Sequence, residues 1–165
     1  MDRDEDYTAY VTARWPALVR SAALLGCSRH DAEDLVQTAL VRCYRSWERV
    51  RRADDRDAYV YRVLVNCHAS SRRRRWWGER PTDRQLEHAM DDPAESTLER
   101  RTMVAALHRL AADQRMVLVL RFYVDLSEWQ VAQVLGLPVG TVKSRTSRAL
   151  QRLALELDDT PRSPS

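Results

Sequence analysis

The sequence predicts an all-α chain made of two small helical domains joined by a flexible linker, the C-terminal one a helix-turn-helix. Three observations carry this prediction. Apolar residues recur three and four apart in segment after segment, the spacing that gathers side chains on one helix face. Residues 78–97 break the composition, with Gly78, Pro81 and Pro93 and six acidic residues against two Arg, as an extended linker does. Leu126 to Leu150 then holds two caps, a tight turn and a basic outer face in helix-turn-helix order.

A first helix is expected over Tyr7 to Leu25, with Tyr10, Val11, Leu18, Ala22 and Leu25 inward, Gly26 ending it and Pro16 at a kink or break. Ser28, with Asp31 three residues on, caps a second helix whose first turn carries Asp31, Glu33 and Asp34, the charges its dipole favours. Ala32, Leu35, Val36, Ala39, Leu40, Cys43, Tyr44 and Trp47 hold the helical spacing and make it a core element. Its other face, with Asp34, Gln37, Thr38, Val41, Arg42 and Arg45, reads from chemistry alone as a solvated surface. Glu48 to Asp57 is a charged stretch without Gly, read as a loop. A third helix over Arg56 to Trp77 turns Val60, Val63, Leu64 and Cys67 inward, with Asn66 beside them as a polar group in need of partners.

Past the linker, Leu98 to Leu110 is helical with Val104, Leu107 and Leu110 inward, and Asp113 caps or opens a helix with Val117, Leu120 and Tyr123. Ser127 and Gln130 form a capping box, so a helix starts at Glu128; Val131, Val134 and Leu135 are its buried face and Gly136 its left-handed end. Leu137-Pro138 opens the next helix, where a missing amide costs nothing. Val139, Val142, Thr146, Ala149, Leu150 and Leu153 trace its inner stripe. The domains are therefore 1–77 and 98–157, with the acidic linker 78–97 between them and a polar tail at 158–165.

A chain of 165 residues can bury a substantial core. Its 27 basic residues include a single Lys, Lys143, and the net charge of +3 matters less than its distribution. Cys27, Cys43 and Cys67 are too few and too scattered for a disulfide framework or a four-ligand zinc site; Cys27 with His30 supplies two ligands only, and Cys43 and Cys67 read as small core residues. No metal or cofactor is called for. No signal peptide opens the chain and no apolar run approaches the ~20 residues of a membrane span, so a cytoplasmic protein without membrane contact is expected.

The chemistry that stands out is cationic. The outer face of the last helix carries Thr141, Lys143, Ser144, Arg145, Ser147, Arg148 and Arg152. Held across a tight turn from a supporting helix, such a face enters the DNA major groove, where Arg and Lys bond guanine edges or phosphates and Ser and Thr adapt to either. The plain alternative is a solvated charged face. Arg72, Arg73, Arg74 and Arg75 followed by Trp76 and Trp77 wrap around a helix end. Such a run suits phosphates and the stacking of unpaired bases, or equally a solvated basic end whose indoles pack on neighbours.

Asp31-Ala32-Glu33-Asp34-Leu35-Val36-Gln37 resembles the region 2 signature of bacterial sigma factors of the extracytoplasmic-function type, the minimal branch of the sigma-70 family. Ala58 to Asn66 resembles that family's promoter-melting helix, and Pro138-Val139-Gly140-Thr141-Val142-Lys143-Ser144-Arg145 its region 4 recognition helix. The resemblance covers nearly the whole chain, and the Arg-rich usage is similar to an actinobacterial subgroup.

It implies a protein that binds core RNA polymerase and directs promoter recognition, melting and initiation. Asp34, Gln37 and Thr38, with Val41 beside them, match positions that dock on the clamp helices of the largest polymerase subunit; the flap of the second largest is the implied partner of region 4. Arg42, Ser46, Val50 and Asn66, with Arg72 to Trp77, match the region that captures a flipped base and the melted strand at the minus-10 element. Thr141, Lys143, Ser144, Ser147 and Arg148 match the duplex contacts at minus-35, with Arg145 nearer the backbone. An anti-sigma factor is a further partner the family allows. Thr38 stands where the family often has Glu, Val50 where a larger side chain occurs, and Thr146 where an aliphatic is usual.

The rival reading is a dimeric helix-turn-helix regulator on a two-fold operator, which needs a dimer interface that the apolar stripes do not offer. A hydrolase or nuclease would need clustered carboxylates, a metal set or a Ser/His/Asp arrangement. The sequence has none, and His30, His68, His88 and His108 are scattered as surface or helix residues.

Overall fold

In the computed structural model, which describes residues 1–78 and 97–160, the described residues form eight α-helices and one π-helical turn, with no strand. The N-terminal half contains α1 (Arg3–Leu24), α2 (Arg29–Arg45), α3 (Trp47–Arg52) and α4 (Arg56–Gly78). The C-terminal half contains α5 (Leu98–Arg109), α6 (Ala112–Leu118) continued by the π-helical turn Val119–Tyr123, α7 (Glu128–Leu135) and α8 (Val139–Asp158). The linker from residue 79 on and most of the tail lie outside the described residues.

Local chemistry explains most boundaries. Asp2 and Glu5 form a capping box that starts α1 at Arg3, four residues before the sequence expectation, and the helix runs through Pro16 without a break. Gly26 follows at φ 107, a backbone conformation that only glycine adopts cheaply. Ser28 caps α2 by accepting from the Asp31 amide, and Asp55 caps α4 by accepting from Ala58 at 3.0 Å. The stretch expected to be a loop contains α3, because Trp47 and Val50 are both wholly buried and hold one helical turn against the core. Val117, Leu118, Val119 and Leu120 are buried in succession where α6 widens into the π-helical turn; Tyr123, expected inward, is exposed.

The helix-turn-helix is built as the sequence predicts, with reciprocal Ser127 and Gln130 bonds and Gly136 at φ 64. Pro138 is the N-cap rather than the first helical residue. The inner stripe of α8 runs Val142, Thr146, Ala149, Leu153, Glu156; Leu150, expected inward, is 43% exposed. Glu156 is buried instead because Arg109 of α5 donates to it at 2.8 Å and Arg152 lies 2.7 Å away, and these partners hold its carboxyl below the ordinary range.

Most of the buried apolar residues form one contiguous cluster spanning both halves. Helix α7 packs on α4, and α1 meets α5 and the π-helical turn. Polar bonds cross the same seam. Arg115 donates to the Leu25 carbonyl at 3.0 Å, His108 sits 3.2 Å from the Ala23 carbonyl, and Gln130 Nε2 donates to Asp55 Oδ2 at 2.5 Å. His108, on α5, is half-buried between the halves, and His68, on α4, is buried.

Candidate functional site

Helix α2 presents two different faces. Leu35, Val36, Ala39, Leu40 and Cys43 are buried, whereas Asp34, Gln37, Thr38, Val41 and Arg42 are exposed. Val41 is a β-branched apolar side chain 51% exposed, which makes this more than an ordinary wet surface. Asp34 pairs with His30 at 3.3 Å, an exposed contact that leaves the carboxylate available.

The adjoining corner is tightly held. Ser46 ends α2 and begins α3 with φ −119 and ψ 28. Trp47 follows, buried, with its indole N–H donated to Asp6 Oδ2 at 2.9 Å. Arg56 donates to the same carboxylate at 3.1 Å and Arg51 lies 3.4 Å from it. Burial alone would raise the Asp6 carboxyl, but the Trp47 indole and the Arg56 and Arg51 guanidinium groups outweigh it and hold it low. Nothing in the sequence distinguishes Asp6 from the other three acids in the first six residues.

Val50 is buried and offers no surface to a base; its role is to seat α3. Asn66 is exposed on α4 rather than tucked beside the apolar stripe, and its side chain makes no hydrogen bond among the described residues. Arg42 on α2 acts on Cys67 of α4, whose thiol burial raises while Arg42 opposes the shift. Arg72, Arg73 and Arg74 are exposed, while the side chains of Arg75, Trp76 and Trp77 lie outside the described residues. Burial pushes the Cys43 thiol up to about 12, an inert core sulfur.

On α8 the outer face sorts itself by partners. Arg145 is half-buried and 3.7 Å from Asp113, and Lys143 is 3.8 Å from Glu128. Ser144 donates to the Thr141 carbonyl at 3.1 Å. Ser147 and Arg148 are exposed with no such partner, so Arg148 is the guanidinium on this face most free to reach a ligand. Among the described residues no group of three potential metal ligands exists, and no helix is long and apolar enough to cross a membrane.

Residues 11–78 match the family model for sigma-70 region 2 and residues 100–153 the model for sigma-70 region 4. The RNA polymerase sigma-E factor of Streptomyces coelicolor is 41% identical over 152 residues, covering 92% of this chain and 86% of that protein. The chain belongs to the sigma-70 family.

Within it, the relatives place this sigma factor in the extracytoplasmic-function branch, of actinobacterial type. The sigma factor EcfG of Rhodopseudomonas palustris is 30% identical over 146 residues, covering 87% of this chain and 81% of its own. Among solved structures, the sigma factor RpoE of Bartonella quintana, crystallised with the anti-sigma factor NepR, superposes with a TM-score of 0.77 at 25% identity, covering 95% of this chain and 99% of that one. CnrH, in complex with the cytosolic domain of CnrY, gives 0.66 at 25% identity. As a sigma factor, the protein binds core RNA polymerase and promoter DNA and directs promoter-specific initiation.

Proposed function

We propose that the two halves divide promoter recognition, α8 reading duplex DNA at minus-35 while the exposed polar residues of α2 and α4 hold the melted strand at minus-10. The observation that carries this is the presence of both regions on one chain, each with an exposed polar helix face opposite a buried one. On α8, Arg148 takes a base edge, Lys143, Ser144 and Ser147 supply adaptable bonds beside it, and Arg145, already turned toward Asp113, serves the phosphate backbone.

On the N-terminal half, Asn66 has a free amide able to pair with the Watson–Crick edge of an extruded base. Arg42, with Arg72, Arg73 and Arg74, supplies phosphate contact along the strand. Ser46 lies at the corner that Asp6 fixes through Trp47, and Val50 acts only by seating that corner. The exposed face Asp34, Gln37, Thr38, Val41 is the docking surface for the polymerase clamp helices, and the C-terminal half meets the flap. The protein works without covalent chemistry, in the cytoplasm where the polymerase is. An anti-sigma factor is a further partner, on the pattern of the solved relative crystallised with the anti-sigma factor NepR.

Run-off transcription from fragmented genomic DNA, with core polymerase in the presence and absence of the protein, tests the reading. Discrete new start sites should appear, and the sequences upstream of them should share two elements. A duplex shift by the protein alone on a palindromic site, with no new start, would favour the dimeric regulator.

A further inference from the structure

Trp129 is an aromatic side chain that the division between the two halves does not use. It sits in the first turn of α7 and is 63% exposed, whereas Trp15 is half-buried and Trp47 wholly buried. A large ring left in water marks an interaction surface rather than a contribution to the core. Among the described residues no ring or cation packs on it, and its indole N–H, a donor only, bonds to nothing.

The spacing along α7 fixes where that ring stands. Val131, Ala132 and Val134 are buried, which leaves Trp129 and Gln133 on the outward face. Glu128, one residue before Trp129, lies 3.8 Å from Lys143 Nζ, and Lys143 belongs to the outer face of α8. That pair sets the first turn of α7 at the rim of the DNA-reading face. It also neutralises the carboxylate of that turn, which would otherwise repel phosphates. A helix seated in a major groove about 12 Å wide has a sugar–phosphate backbone along each side, and the supporting helix of a helix-turn-helix crosses one of them.

We propose that Trp129 is a DNA-contacting residue: its ring lies against a deoxyribose at the edge of the minus-35 site, and its indole N–H is donated to a neighbouring phosphate oxygen. The proposal rests on the reading of α8 as the duplex-binding helix. Such a contact positions the duplex and carries no base preference. Being uncharged, it releases no counterion, unlike a contact made by a guanidinium group. Trp129 therefore adds affinity that salt does not screen.

The test uses holoenzyme, core polymerase carrying the full chain, on duplexes selected from genomic fragments by their binding to it. Trp129→Ala should weaken duplex binding roughly tenfold, the size of losing a partly covered ring and one hydrogen bond. The loss should be the same whichever base pair is varied, and the slope of log affinity against log salt should not change. Trp129→Phe, which keeps a ring but no donor, should lose roughly threefold. Hydroxytryptophan built into this protein alone is excited apart from the polymerase's own tryptophan. The emission missing from Trp129→Phe belongs to Trp129, and the duplex should shield it from acrylamide quenching.

Unchanged affinity in Trp129→Ala, a loss confined to one base pair, or an indole as open to acrylamide with duplex as without it would overturn the contact. So would a loss of polymerase binding in place of duplex binding, which would make Trp129 a protein-docking residue. Arg148→Ala on the same duplexes separates the two readings. If neither variant weakens binding, the assignment of α8 fails together with the contact, whereas a loss in Arg148→Ala alone removes only Trp129.

Discussion

The Trp47 indole donates to Asp6 at 2.9 Å, so the first turn of α1 fixes the corner at which α2 passes into α3. Sequence places these residues 41 positions apart, and the bond is what makes a short helix of six residues hold its place. Asp6 also answers Arg51 and Arg56, so one carboxylate neutralises the cationic end of α3 and the start of α4.

That arrangement sets a pH dependence. The Asp6 carboxyl is held below its ordinary value of 3.8, so the unfolded chain binds this proton more readily than the folded one. Its stabilisation is complete above that value and is lost as the pH falls through the depressed one. Asp6→Asn, which keeps an acceptor for the indole but no charge, should melt at a lower temperature at neutral pH. Melting curves by circular dichroism should show the gap between the two proteins closing as the pH drops below about 4.

Arg148 and Arg145 lie three residues apart on α8 and should behave differently. Arg148 is exposed and unpartnered, and Arg148→Ala should cost minus-35 duplex binding ~1–3 kcal/mol, concentrated at one base pair when each position is varied in turn. Arg145 is already engaged by Asp113, and Arg145→Ala should weaken all duplexes alike and flatten the salt dependence of binding. A uniform loss for Arg148→Ala would reassign it to phosphate.

The contrast between those residues shows what a sequence can disclose. The turn from Ser127 to Pro138 was readable because caps, left-handed glycine and proline act on neighbours within a few positions. The phase of α8 beyond Ala149 was not, since Leu150 is the natural choice for a buried position and Glu156 is buried only because Arg109, 47 residues away, comes to meet it. Asn66 and Val50 were misplaced for the same reason. Which side of a helix faces the core depends on partners from elsewhere, and the charged stretch holding Val50 has the composition of a loop. Gln130 was legible as a cap, while its bond to Asp55, 75 residues away, was not.

Asn66 carries the clearest separation of steps. Because its side chain is exposed and unbonded, Asn66→Ala should leave the stability within about 0.5 kcal/mol of the natural protein's in urea denaturation. Minus-35 duplex binding and polymerase binding should be unaffected. Promoter opening, read by permanganate reactivity of the minus-10 thymines, should fall, and a template with a pre-formed mismatch bubble should recover much of the lost initiation. Full opening by Asn66→Ala on an intact duplex would remove this residue from strand capture.

Thr146 replaces an aliphatic expected on the buried face of α8, and the sequence alone suggests a loosened recognition helix. Its hydroxyl, however, donates to the Val142 carbonyl at 2.7 Å, one turn back, so the polar group is satisfied inside the helix and leaves no orphan in the core. The bond is redundant, because the helix already gives that carbonyl a backbone donor. Exchanging the hydroxyl for a methyl group of nearly the same size would therefore remove no necessary partner and would bury additional apolar surface. Thr146→Val should stabilise the protein by about 0.5–1 kcal/mol in urea denaturation, with an unchanged slope and unchanged minus-35 specificity. A loss of stability instead would mean that the hydroxyl contributes to the helix beyond satisfying itself, for instance by setting the local bend that presents Ser147 and Arg148 to the groove.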